Sequence, residues 1–74
     1  MRRDLIRIAM DAGKRWAEHQ LRRGVEITPS AAGEAARKKF THAGSQHLFW
    51  CSALDTALLE GGVKDDANHS ENVR

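Results

Sequence analysis

RDLIRIAMDAGKRWAEHQLRRG, residues 3–24, is the stretch on which the fold turns. At 100° per residue Leu5, Ile6, Ala9, Met10, Ala12, Gly13, Trp16, Ala17 and Leu21 fall on one broad face, the signature of an amphipathic helix. Asp4, Arg7, Asp11, Lys14, Arg15, Glu18 and Arg22 occupy the other. Their signs alternate at i, i+3 and i, i+4 (Asp4–Arg7, Arg7–Asp11, Asp11–Arg15, Lys14–Glu18, Glu18–Arg22), and each such pair supports a solvated helix by about 0.2–0.5 kcal/mol. Gly24 marks the stop, with Arg22 and Arg23 set against the negative end of the helix dipole. A first helix over residues 3–23 follows.

Val25 and Ile27 form a short extended connection whose apolar side chains can pin it to a core. Thr28 before Pro29 is a helix start, a hydroxyl cap followed by a proline whose missing N–H costs nothing in the first turn. The second helix, residues 29–41, carries Ala32, Ala35, Ala36 and Phe40 on one side, and Gly33 weakens it by about 1 kcal/mol relative to alanine. Ala43 and Gly44 read as a turn and Ser45 as the cap of a third helix, residues 45–60. There Trp50, Cys51, Ala53, Leu54, Ala57 and Leu58 make the expected core face, with Leu48, Phe49 and Leu59 elsewhere. A helix apolar on nearly every side is covered on more than one side. Gly61 and Gly62 end it, and Val63 is placed for the accompanying apolar contact. The expected fold is all-α, a small three-helix bundle in one domain, residues 1–63, followed by a disordered polar tail, residues 64–74.

Seventy-four residues with one cysteine, Cys51, admit no internal disulfide. A lone thiol fits a reducing compartment. A single core in a chain below about 70–80 residues rarely supplies more than about 3–5 kcal/mol, so association is the expected support. The longest apolar run, Leu48–Cys51, is far short of the roughly 18 residues of a membrane span, and Asp4 and Arg7 interrupt any secretory h-region. A cytoplasmic protein is expected. The net charge of +2 conceals an asymmetry: residues 1–40 hold ten Lys/Arg against five Asp/Glu, and residues 41–74 hold two against five.

Little in the chain is arranged for chemistry. His47 and Cys51 stand four apart on the third helix, with Asp55 a turn on and His42 before them. Structural zinc sites pair two such halves, and here there is one thiol and no second pair. As a nucleophile, Cys51 sits in an apolar stretch that keeps a thiol inert, and the bland expectation is a core cysteine. Substrate pockets usually need about 300 Å³, and a chain this short is expected to leave little room for one. No glycine-rich phosphate loop, paired carboxylates or G-x-S-x-G occurs. No enzyme activity, metal or cofactor is expected.

Two binding functions remain. The first is a small regulatory or inhibitory adaptor that docks stoichiometrically on a larger protein. Its anchors would be Leu48, Phe49 and Leu59, with Arg37, Lys38 and Lys39 steering an acidic partner. Phage- and plasmid-type inhibitors of host machinery, anti-CRISPR proteins among them, are built at this size, although no motif here carries that comparison. A homodimer packed through the third helix accompanies this expectation. The alternative is a nucleic-acid-binding regulator using Arg22, Arg23, Arg37, Lys38 and Lys39, with a helix-turn-helix outline around Gly44. Against it, the would-be recognition helix is apolar and slightly acidic, and the basic residues of the first helix have acids a turn away. A membrane-surface role for the first helix meets the same objection, since its three acids would repel anionic lipid.

Overall fold

The computed structural model describes residues 3–62. Three helices form, α1 (Arg3–Arg22), α2 (Pro29–Lys39) and α3 (Ala43–Glu60), and among the described residues the fold is all-α. The expected tail and the Val63 contact lie outside the described residues.

The ends follow the local chemistry closely in α1 and α2. Gly24 takes the left-handed conformation (φ 80°) past the end of α1. The Gly24 N–H donates to the Leu21 carbonyl at 2.9 Å, and the Val25 N–H to that of Gln20 at 3.0 Å, satisfying carbonyls the helix leaves open. Thr28 caps α2, its Oγ1 accepting from the Ala31 N–H at 3.1 Å, with Pro29 in the first turn. Phe40, extended, closes α2 slightly earlier than its apolar pattern suggests. At α3 the start differs from expectation. Ala43 and Gly44 belong to its first turn, His42 is the cap residue without a side-chain bond, and Ser45 is buried within the helix. The Gln46 side chain donates instead to the Phe40 carbonyl at 2.7 Å and anchors this corner. Gly61 (φ 74°) ends α3 as the sequence suggests, and the Gly62 N–H reaches back to the Ala57 carbonyl at 2.9 Å.

α3 is the central element, with α1 and α2 both packed on it and meeting each other only marginally. The Ile27 N–H donates to the Gly62 carbonyl at 2.8 Å, which brings the ends of α1 and α3 together. The bond from Gln46 to Phe40 places the end of α2 beside the start of α3. The three helices therefore run up, down and up. Two further bonds tie the flanking helices in: Ser52 Oγ donates to the Met10 carbonyl at 2.6 Å, and Trp50 Nε1 donates to that of Pro29 at 3.0 Å.

The buried residues are mostly small. Ala9, Gly13 and Ala17 repeat every four residues on α1, Ala32 and Ala36 on α2, and Ser45, Phe49, Ala53 and Ala57 on α3. Residues four apart share a helix face, so each helix presents a ladder of small side chains to its neighbour. The approach is closest at Gly13. A Cβ there would press on the Phe49 carbonyl oxygen and lie 3.1 Å from the Phe49 Cα. Bulk is concentrated in Phe49 and Ile27, the two largest side chains fully enclosed. Phe49 sits between Trp16 (ring centroids 5.8 Å apart) and Phe40 (6.2 Å, edge-on), a geometry aromatic pairs favour. Ile27 pins the α1–α2 connection to the core as its position suggests, while Val25 stays outside.

Candidate binding surfaces

The packing leaves two surfaces, on opposite sides of α3. The first is a groove between α1 and α2. Because both helices rest on α3 and hardly touch each other, an open channel of about 530 Å³ remains between them. Ala12 and Ala35 line its base above Phe49, Ile8 and Trp16 form apolar walls, and Arg15, His19 and Lys39 stand along it with Asp11. Arg15 holds Asp11 at 3.2 Å, one of the five pairs the spacing of α1 suggests, so Lys39 is left facing the channel. Ile8, which the helical pattern of α1 does not place on its apolar face, is half-exposed here. A second open depression, of about 420 Å³, runs between Arg3, Ile6, Arg7, Met10 and Lys14 of α1 and Ser52 of α3. The expectation that so short a chain leaves little concavity therefore fails: two helices resting on one central helix and hardly touching each other leave the angle between them open.

The second surface is the outward side of α3. Gly44, His47, Leu48, Cys51, Asp55 and Leu58 recur at i, i+3, i+4, i+7, i+11 and i+14, and so share one side of the helix. Most of this side faces away from α1 and α2, whose contacts fall on Phe49, Ser52, Gln46 and Trp50; His47 stands at its α2 edge, lining a shallow depression with Gly33, Ala36 and Arg37. Leu58 is 64 % exposed and Leu59 87 % exposed, with Leu48 and Cys51 half-buried and Leu54, at the edge of this side, packed partly against the core. His47 lies over Cys51, Nε2 to Sγ 3.4 Å, and stacks on Trp50 at 6.1 Å between ring centroids.

The residues expected to bind a protein thus divide. Leu48 lies on the outward side of α3 and Leu59 is exposed at the end of the helix, on the flank it shares with Ser52, whereas Phe49 is 1 % exposed at the centre of the core and cannot anchor a partner. The expected core face of α3 is likewise corrected. Its buried arc is Ser45, Phe49, Ala53 and Ala57, while Cys51 and Leu58 look outward. The small residues allow close approach and Leu58 does not. Cys51 is accordingly a half-exposed thiol, not a core one.

Arg37, Lys38 and Lys39 are all exposed at the end of α2, and Arg22 and Arg23 are exposed at the end of α1. These two clusters do not meet. The end of α1 lies with Gly62 and the end of α2 with Gln46, and α3 between them rises about 27 Å over its 18 residues. That exceeds the roughly 8 Å Debye length at physiological salt several-fold.

No group of three His, Cys, Asp or Glu side chains among the described residues is placed to hold a metal. None of the described helices is long and apolar enough to cross a membrane. No protein-family model, curated protein or solved structure matches the chain.

Proposed function

We propose that the chain is a small, non-enzymatic regulatory or inhibitory adaptor that binds a larger protein stoichiometrically in the cytoplasm. The groove between α1 and α2 carries this reading. It offers apolar walls from Ile8 and Trp16, with Lys39 along it and in no ion pair among the described residues, Lys38 exposed beside it, and Arg37 turned to the α3 side of α2. That combination suits an amphipathic helical segment with an acidic edge, the helix-in-groove mode of recognition. Apolar contacts would supply affinity and the α2 cations would raise the rate of encounter. A phage- or plasmid-type inhibitor of host machinery is one setting for such a protein. The separation of Arg22 and Arg23 from Arg37, Lys38 and Lys39 gives the nucleic-acid alternative no continuous footprint, so the groove reading is preferred.

Two measurements decide it. Labelled duplex and single-stranded DNA and RNA are titrated at about 50 and 200 mM salt, the range over which phosphate contacts show themselves. Host proteins captured by the wild-type chain are then compared with those captured by Ile8→Asp and Lys39→Glu. The adaptor reading expects no nucleic-acid binding at the lower salt and a stoichiometric protein lost with both substitutions. Tight nucleic-acid binding that falls by orders of magnitude with salt would replace it with the alternative.

A further inference from the structure

The outward side of α3 has a property that an apolar patch for an unrelated partner would not need: it is complementary to itself. His47 and Asp55 are exposed, each four residues from Cys51 in opposite directions. Leu48 and Leu54 each lie three residues away, again on either side, and Gly44 and Leu58 each lie seven. We propose that this face pairs with the same face of a second copy, the two α3 helices antiparallel and related by a two-fold axis at Cys51.

In that register His47 meets Asp55 of the partner subunit, and the contact occurs twice, as an isologous interface requires. Leu48 packs against the partner's Leu54. Leu58 covers the partner's Gly44, where the absence of a side chain leaves room for it. The His47–Asp55 contact selects this register. Sliding one helix so that Cys51 faces Leu54 places Asp55 against Trp50, and sliding it the other way places Asp55 against Gly44. A parallel pair places Asp55 beside its own copy. His47 is already held on this side by Cys51 and by stacking on Trp50, so little side-chain freedom remains to be lost on pairing. Pairing would also bury Leu58, at 64 % exposure among the least covered large apolar side chains among the described residues. The groove between α1 and α2 lies on the far side of α3, so the dimer and the adaptor reading stand or fall separately.

The full chain is tested by sedimentation equilibrium and by oxidative trapping with copper–phenanthroline. Because Cys51 is the only cysteine, a covalent dimer reports proximity of that residue to its own copy, within the roughly 7 Å Cα separation a disulfide tolerates. We expect a monomer–dimer equilibrium and ready trapping of the wild-type chain. The double variant Cys51→Ser with Leu58→Cys should trap poorly, since its thiols lie about 20 Å apart along the paired helices. Asp55→His should weaken the dimer about tenfold, or about 1.4 kcal/mol. Adding His47→Asp to it should restore affinity to near the wild-type value, with helicity unchanged by circular dichroism throughout. A chain that stays monomeric at the highest concentration reached overturns the proposal. So does equal trapping at positions 51 and 58, or a double exchange that fails to restore the dimer.

Discussion

Replacing Gly13 by alanine should destabilise the protein, although alanine is the better helix former. In an exposed helix interior the change would contribute about 1 kcal/mol of stability. Here the new methyl group meets the backbone of α3, with the Phe49 carbonyl carbon and Cα both 3.1 Å from it and the carbonyl oxygen closer still. Backbone inside a helix cannot turn aside as a side chain does, so α1 must lift from α3 by on the order of 1 Å, a gap that forfeits a quarter to a half of each dispersion contact it opens. Ala9 and Ala17, a turn to either side and fully buried, lose contacts with it. Overpacking costs about 1–3 kcal/mol, and a contact this close to backbone belongs in the upper part of that range, about 2–3 kcal/mol. After the roughly 1 kcal/mol gained from helix propensity, the net loss should be about 1–2 kcal/mol. For a domain this small that corresponds to a fall in Tm of about 5–15 °C. Urea unfolding followed by far-ultraviolet circular dichroism measures it directly. Gly33 provides the contrast, because a Cβ there meets only Arg37 and Trp50 side chains at 3.7 Å or more. Gly33→Ala should therefore stabilise by up to about 1 kcal/mol. Should Gly13→Ala prove as stable as the wild type, or more so, the close approach of α1 to α3 is wrong.

Thr28→Ala removes the oxygen that accepts from the Ala31 N–H and should cost about 1 kcal/mol, readable as a lower urea midpoint with an unchanged slope. Trp50→Phe keeps most of the ring but removes the bond that its Nε1 donates to the Pro29 carbonyl. A loss of about 0.5–1.5 kcal/mol is expected from the same unfolding curves.

α1 and α2 were largely legible because their start and stop signals are chemical: Thr28 and Pro29 begin one helix and Gly24 ends the other. α1 also carries enough charge on one side to define its apolar side. α3 has no such contrast. Its apolar residues encircle it, and a reading weighted by hydrophobicity buries Leu58 and Cys51 and turns Phe49 outward. The buried arc is instead chosen by Ser45, Ala53 and Ala57, whose small size lets the flanking helices approach, with Phe49 filling the space among Trp16, Phe40 and the alanines. The four-residue spacing of Ala9, Gly13 and Ala17 on α1 was the signal that could have indicated this, since a matching ladder stands on α3. The groove between α1 and α2 was not legible, because it depends on how two helices sit on a third and not on the pattern of any one of them.

The ladder of small side chains has a consequence for how such a protein can change over generations. Alanine and glycine hold the helices together, so the large leucines at the end of α3 contribute little to holding the fold. Leu58 and Leu59 can therefore be exchanged for other side chains at small cost to folding, while Gly13, Ala17 and Ala53 cannot. Variation is channelled onto the exterior, and the surface that meets other molecules can diversify while the architecture beneath it stays constant.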